Sequence, residues 1–472
     1  MVGAGLAAEA AAATLAARLR GTRPVMLIET GPAPRTDAFY GTVTGPWAKP
    51  VHDAAGVTEE ALLREGAALS WGTRYVYAGE GAAAQRAWVQ CHTQPFVAPG
   101  GVEVQHVLAR FGLPLQPLLL PAVAGAAGTF AHPSPDPRSP LSQAEYGYQT
   151  DPANLARAFA AVGAASGVRR SRAGIRKVAM QSSEITSLTL SDGTTVEADT
   201  YVDATGPEAK LLSRLGDARR SGHAIRLLTS EAGADADAPL RTLKITKDGW
   251  TARTPVRGRQ LVTTAARPED EAARALHGAE PASVIDAALG HVPVPWIGNT
   301  VAVGHAALVA DPLTPAALHL LYRDLTRLSE LIPLGREQTV ERREYARRFA
   351  DDAEHAGLFV SALSDLAPQG GRYWDGADHA SPKLRAKLTQ FESRGVLVQY
   401  DLEPFHREDW LILYEGQGRT PRRYDRLADR LGEDAARRDL AQQARAIADL
   451  AARMPPAGRY TERYLDYLGR ET

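Results

Sequence analysis

Gly3-Ala4-Gly5-Leu6-Ala7-Ala8, an alanine-rich run to Arg20, and then PVMLIE at Pro24–Glu29 form the stretch whose reading decides the fold. It matches the G-x-G-x-x-G/A turn. There the first two glycines let the chain turn tightly, and backbone N–H groups face a pyrophosphate at a helix N-terminus. A lone match of this kind is a weak signal. It gains weight from Glu29, which ends the next apolar strand 24 residues after Gly5, where a carboxylate can bond a ribose hydroxyl. Only Met1 and Val2 precede the turn, so either the start lies upstream or the first strand is truncated.

Two further elements extend the pattern. Tyr201-Val202-Asp203-Ala204-Thr205-Gly206 reads as a strand entering an A-T-G turn, the kind that closes the sheet beside the cofactor in two-dinucleotide folds. Val301-Ala302-Val303-Gly304-His305-Ala306-Ala307 is a strand followed by a small-residue turn. Flavoproteins usually carry an acid at the second residue of that turn, bonded to the ribityl chain. Here it is His305, and a lone histidine in a turn is more often solvated or capping than a ligand. Three elements in this order predict an α/β, Rossmann-like, two-dinucleotide-type fold that binds FAD, with Gly3, Gly5, Ala8, Glu29, Thr205, Gly206, Gly304 and His305 at the cofactor.

Between these elements the chain changes character. Gly41–Pro140 is irregular and rich in proline, Asp151–Ser166 has helical spacing after an Asp-Pro start, and Ile185–Asp203 alternates on both sides of an Asp-Gly turn, which predicts a hairpin. Leu318–Ile332 reads as a helix, and Asp425–Met454 as an amphipathic, charged one. The expected organisation is a FAD-binding domain in three segments, 1–50, 150–215 and 291–335. It is interrupted by a substrate region at 51–149 and 216–290 and followed by a helical region at 336–472.

Composition excludes several classes. Of 472 residues 44% are hydrophobic and 23% charged, an ordinary globular balance. The 54 basic and 55 acidic residues leave a net charge of −1, which gives no support to a nucleic-acid or anionic-membrane binder. One cysteine, Cys91, excludes a disulfide framework and a Cys-based zinc site. The alanine-rich start carries Glu9 early and Arg18 and Arg20 late, the reverse of a signal peptide. The uncharged run Phe111–Pro135 is interrupted by five prolines, against a spanning helix. A soluble, cytoplasmic protein without a metal is expected, and the sequence leaves a homodimer open.

The chain resembles the flavin-dependent tryptophan halogenases over nearly its whole length. GTVT at Gly41–Thr44 with AAGVTEEALLRE at Ala54–Glu65 is similar to the family's G-E-A-T and L-G-I-x-E-x-E-F-x-R. YGYQTDPANLARAF at Tyr146–Phe159 and ADTYVDATGPEAKLL at Ala198–Leu212 resemble two more of its segments. PWIGNTVAVGHAALVADPLTPAALHLLYRDLTRL at Pro295–Leu328 tracks P-W-x-G-N-x-V-A-I-G-E-A-A-x-x-x-E-P-L-E-S-T-G-I-H-L closely. FESRG at Phe391–Gly395 and DWLILYEGQGRTPRRYDRLAD at Asp409–Asp429 resemble the C-terminal motif.

The resemblance implies FAD, reduced by a separate flavin reductase, and a small aromatic substrate. It adds Pro312 and Leu313 to the cofactor residues, and His92, His106 and Trp250 to the substrate side. It also implies a lysine that delivers the halogen, with a glutamate nearby. A lysine suits this because its amine can hold a halogen or donate a proton. The lysine position is Ser70, or Trp71 if the gap is placed elsewhere, and no lysine lies between Lys49 and Lys177. The glutamate position is Thr314, and Pro315 and Ala317 replace residues of the backbone that holds halide. The W-x-W-x-I-P motif, thought to keep the flavin intermediate from the substrate, reads Trp250-Thr251-Ala252-Arg253-Thr254-Pro255.

The expectation is therefore a flavin-dependent oxidoreductase without halogenase activity that oxygenates or oxidises a small aromatic molecule. The alternatives are a catalytically dead pseudoenzyme or partner protein, and an active tryptophan or aryl halogenase with a relocated catalytic group. Trp71, Trp88, Tyr75, Tyr77 and Phe96 could line an aromatic pocket, although a plain core role suits them as well.

Overall fold

Val2–Gly3 is the strand around which the nucleotide sheet assembles in the computed structural model of the protein, which describes residues 1–471 apart from 79–85, 94–96, 99–100, 221, 234–237, 271, 333–337, 366, 368–371 and 377–380. Short as it is, it pairs in parallel with Met26–Glu29 on one side and Tyr201–Ala204 on the other. The six-stranded order is Arg169–Ser171, Met26–Glu29, Val2–Gly3, Tyr201–Ala204, Thr300–Ala302 and Trp296–Ile297, parallel except for the last pair. A Cβ at Gly3 would lie 2.2 Å from the Ala204 carbonyl oxygen, so the strand spacing itself requires glycine there.

The helix Leu6–Arg18 follows. It is almost entirely alanine on its buried faces, which lets it lie close against the helix Pro152–Ala165, whose Gly163 sits over Ala13. The Asp151 carboxylate accepts from the Ala153 N–H at 2.9 Å and starts that second helix. The hairpin expected over Ile185–Asp203 forms only in part. Glu184–Leu190 pairs with Thr195–Val196 across the Asp-Gly turn and with Ile175–Gln181, but Tyr201–Ala204 leaves for the nucleotide sheet. All four of its residues are buried there, and burial on both faces overrides local alternation.

A second sheet carries the region between the nucleotide-sheet segments. Its order is Ser283–Ala288, Ala224–Gly233, Arg259–Ala266, Gly249–Val256, Leu240–Thr246, Gly72–Tyr77, Arg86–Thr93 and Ala144–Glu145. The pairing is antiparallel except between Leu240–Thr246 and Gly72–Tyr77. Helices Ala316–Leu331, Thr339–Ser364, Pro382–Arg394, Arg407–Gly416, Glu433–Arg453 and Ala457–Glu471 complete the chain. The run Phe111–Pro135 contributes the end of the helix Val104–Phe111, the 3-10 turn Gln116–Leu118 and the eight-residue helix Leu120–Ala127, and among the described residues no helix is long and apolar enough to cross a membrane.

The C-terminal helix Ala457–Glu471 is fastened by one carboxylate. Glu59 accepts from the hydroxyls of Tyr146 at 2.8 Å and Tyr148 at 2.6 Å, and lies 3.0 Å from His132 Nε2. His132 Nδ1 in turn meets the Tyr460 hydroxyl of that helix at 2.7 Å. Burial works to raise the Glu59 pKa, but the His132 contact and the two phenols outweigh it and hold the group at about 2, against 4.5 ordinarily.

Because the folded value lies below the unfolded one, the latch contributes fully above about pH 4.5 and is lost as pH falls toward 2. Glu59→Ala leaves two phenols and an imidazole without their acceptor. It should cost about 2–4 kcal/mol at neutral pH, read by urea unfolding, with the difference from wild type closing in acid.

Candidate functional site

The three cofactor-type turns meet beneath one segment of the chain, Pro34–Gly41, whose core is the 3-10 turn Arg35–Tyr40. Pro34 lies over Gly5 and close to Gly206. Asp37 reaches the N-terminus of the helix Leu6–Arg18, where its Oδ2 accepts the Leu6 N–H at 2.8 Å. A Cβ at Gly5 would sit 2.1 Å from that same oxygen. Burial pushes the Asp37 carboxyl up to about 7, although the Leu6 N–H works against the shift.

Tyr40 covers the third turn. Its ring stacks on the His305 imidazole with centroids 3.7 Å apart and planes 11° apart, and its hydroxyl accepts the His305 N–H at 3.0 Å. A Cβ at Gly304 would fall 2.2 Å from the Tyr40 hydroxyl. Burial pushes the His305 imidazole down to about 3, so the ring is neutral. Its Nδ1 lies 3.2 Å from the Leu308 carbonyl, and the Thr36 backbone also acts on the ring. Arg220 binds the outside of the turn, donating to the carbonyls of Pro207, His305 and Ala306.

The A-T-G turn is organised from within. Asp203 Oδ1 accepts from the Thr205 N–H and hydroxyl, and its Oδ2 accepts from the N–H groups of Leu211 and Leu212. At the end of the second strand, Glu29 is paired with Arg170 at 2.9 Å and Arg172 at 3.3 Å, and Arg170 also holds Glu9. Ala8 is fully buried in the helix. Gly5, Gly206, Gly304 and His305 thus lie against Pro34–Gly41, Gly3, Ala8 and Thr205 belong to the same turns and the helix behind them, and Glu29 ends the strand next to the edge strand Arg169–Ser171.

FAD would need this space. Its pyrophosphate and the Asp37 carboxyl require the same helix N-terminus, and Tyr40 lies directly on the turn that would face the ribityl chain. Two places that the family resemblance assigns to FAD are thus taken by this chain's own Asp37 and Tyr40. Three buried polar atoms in the same neighbourhood, Thr36 Oγ1, His305 Nε2 and Arg220 Nε, lack a hydrogen-bond partner.

A second cluster surrounds Asp311-Pro312-Leu313-Thr314. Arg241, 1% exposed, donates to the carbonyls of Pro312 at 2.9 Å and Leu313 at 3.1 Å, and the Tyr75 hydroxyl donates to Leu313 at 3.1 Å. The Arg241 guanidinium lies 5.5 Å from the Trp250 ring. Trp250 Nε1 donates to Asp311 Oδ1 at 3.0 Å, and the Tyr373 hydroxyl donates to Oδ2 at 2.7 Å. Burial raises the Asp311 carboxyl, opposed by Tyr373, Leu313 and Trp250. Thr314 is buried and spends its hydroxyl on the Ala316 N–H at 3.3 Å, at the start of the helix Ala316–Leu331.

Ser70 and Trp71 both lie in the core. Ser70 Oγ accepts the Gly72 N–H at 3.2 Å, and Trp71 stacks on Phe130 while donating to the Thr129 carbonyl at 2.9 Å. Neither side chain offers an amine. Tyr75 and Tyr77 stack on Trp88, and Phe96 lies outside the described residues. His92 stands against Gly45 and Trp47, 3.9 Å from Asp409, with burial holding it near pH 4. His106 lies under Gly395, 3.5 Å from Glu103. Among the described residues no group of three His, Cys, Asp or Glu could hold a metal.

Asp37, Tyr40, Arg220, Arg241 and Tyr373 do not emerge from sequence motifs, and Asp311 does so only as the acid of the Pro295–Leu328 motif. Arg241 alone leaves a trace: in the strand Leu240–Thr246 it is buried next to buried Leu240, out of step with the alternation that follows.

Comparison with known proteins places this architecture. The family model for tryptophan halogenase matches residues 1–433. BrvH, a flavin-dependent halogenase from Brevundimonas sp. BAL3, superposes with a TM-score of 0.87 at 24% identity, covering 97% of each chain. Xcc4156, a flavin-dependent halogenase from Xanthomonas campestris, gives 0.86 at 21% identity over 98% of this chain and 97% of the other. The tryptophan 6-halogenase SttH from Streptomyces toxytricini gives 0.84 at 17% over 98% of each. No curated protein matches the sequence.

The Asp37 contact has a measurable pH signature. A carboxyl whose folded pKa is about 7 against 3.8 unfolded stabilises the fold in acid, and that contribution is lost as pH rises through 7. Asn at 37 keeps an acceptor for the Leu6 N–H and cannot ionise. Asp37→Asn should therefore gain on wild type between pH 5 and 8, by about 1–2 kcal/mol after allowance for partial solvent exposure. Urea unfolding at several pH values measures this, and parallel stability profiles for the two proteins would contradict it.

Proposed function

This chain belongs to the tryptophan halogenase family, and from that premise we propose that it is a non-halogenating member that carries no flavin and acts by binding. The observation that carries this reading is the closure of the flavin turns by the chain's own side chains. The Asp37 carboxyl sits on the Leu6 N–H at 2.8 Å, and the Tyr40 ring lies on His305 at 3.7 Å. Anion binding at a helix N-terminus depends on free N–H groups and on the positive end of the helix dipole. A carboxyl in that position occupies the Leu6 N–H that an anion would use.

The delivery apparatus supports the same conclusion. Proton transfer or halogen transfer at neutral pH needs a titratable amine or acid within reach of the substrate. At the lysine position this chain has Ser70 or Trp71, both committed to the core, and at the glutamate position it has Thr314, committed to a helix start. Arg241, whose guanidinium does not release its proton, holds the Pro312 and Leu313 carbonyls. Pro315 has no N–H to offer a halide.

A second reading, a flavoprotein oxidoreductase, is favoured by the unpartnered Thr36 Oγ1, His305 Nε2 and Arg220 Nε. Buried polar groups are ordinarily satisfied, and a ligand with hydroxyl and anionic groups would satisfy all three if residues 34–41 swung away. In that reading a separate reductase supplies reduced flavin, and the small aromatic substrate is oxygenated or oxidised.

The visible spectrum of the purified protein separates the two. The first reading expects no flavin band, no saturable uptake of FAD or its reduced form, and no halogenated product from tryptophan with halide, oxygen and a flavin reductase. Stoichiometric flavin would overturn it in favour of the second, and halogenated product would overturn both.

A further inference from the structure

A cleft of about 390 Å3 opens on the far side of the Asp311 cluster, between the helices Ala316–Leu331 and Thr339–Ser364 and the two-stranded ladder Gly290–His291 with Leu308–Val309. Its volume falls in the range of small-molecule sites. The walls are mainly apolar, with Leu289, Leu308 and Leu320 prominent, and no lysine or arginine is among its described lining residues. The polar groups that line it include Asp311, Tyr373, His223, His291 and Glu354, whose carboxylate is paired with Lys383 at 2.6 Å.

Asp311 is built to accept. Its Oδ1 receives the Leu313 N–H and Trp250 Nε1, both at 3.0 Å, and its Oδ2 receives the Tyr373 hydroxyl at 2.7 Å. Each carboxylate oxygen has two acceptor sites, so Oδ2 retains one. The same donors fix the carboxylate in place, and a buried acceptor of this kind discriminates strongly for a ligand that supplies a donor.

Gly357 stands at the rim of the cleft. It lies inside the 26-residue helix Thr339–Ser364, where glycine costs about 1 kcal/mol relative to alanine. A Cβ built on it meets nothing within 4 Å, so no packing contact excludes a larger residue. Gly357 is solvent-exposed and borders the cleft, together with Ala353 and the buried Ala356 of the same helix.

We propose that this cleft binds a small, uncharged, largely apolar molecule that donates one O–H or N–H to Asp311. The inference rests on the cleft alone and holds whether or not the flavin turns are closed, while naming a ligand class for the binding role proposed above.

Calorimetric titration of the full chain with 2-naphthol, 2-methoxynaphthalene and naphthalene-2-sulfonate tests it. The expected result is saturable 1:1 binding of 2-naphthol, about tenfold weaker binding of the methyl ether, which cannot donate, and weaker binding still of the anion. Gly357→Leu puts a larger side chain and a better helix former at the rim of the cleft. It should abolish 2-naphthol binding while Tm stays level or rises, and Ala353→Leu should do the same if the first variant misfolds. No saturable binding to wild type, equal binding of alcohol and ether, or undiminished binding by a folded variant would each overturn the proposal. A flavin spectrum leaves this result untouched, so the two readings fail separately.

Discussion

The N-terminus of the first helix is the constraint on which the nucleotide half of the molecule turns. A helix begins with N–H groups that have no partner inside it, and in this fold the first helix is buried under the central strand. The buried donors must meet an acceptor. Gly5 leaves the space in front of Leu6 open, and Asp37 fills it from the segment that also carries Tyr40 onto His305. That carboxyl–amide contact, with Arg35 on Ser283 and Tyr40 on His305, holds Pro34–Gly41 in place, and that segment in turn covers the turns at Gly206 and Gly304.

The opposite end of the site obeys the same logic with the charge reversed. Carbonyls of Pro312 and Leu313 face inward and need donors. Arg241 supplies two of them and Tyr75 a third. A guanidinium 1% exposed is costly to bury, and the cost is met by its carbonyl partners, the Trp250 face and the nearby Asp311 carboxyl. The loop that aligns with the reactive motif of the family is thus a rigid hydrogen-bonded structure with its carbonyls engaged. Arginine and lysine differ decisively here: the first organises carbonyls without giving up its proton, and the second could have shuttled one.

The family and the order of the three turns were legible in the sequence because glycine-rich turns and apolar parallel strands have local signatures. The two-residue strand Val2–Gly3 was the uncertain element, and it forms because its neighbours on both sides supply the register that two residues could not set alone. Tyr201–Ala204 reads as half of a hairpin when judged by alternation, and becomes a buried parallel strand once the sheet is present. The site was legible only as a set of positions. That Ser70, Trp71 and Thr314 lack an amine or acid is written in the sequence. That their side chains are committed to core and caps depends on partners such as Phe130 and Thr129, about sixty residues or more from Trp71 in one case and spread through the chain in others.

By itself the sequence determined the fold class, the family and the missing lysine and glutamate, since each of these is a matter of residue type at a given spacing. Only the tertiary structure decided what stands where a cofactor would lie. Asp37 and Leu6, Tyr40 and His305, and Arg241 and Leu313 are separated by 31, 265 and 72 residues. No pattern of composition or periodicity links such pairs. They meet because burial forces every helix end and every inward carbonyl to find a partner, and the chain itself supplies those partners.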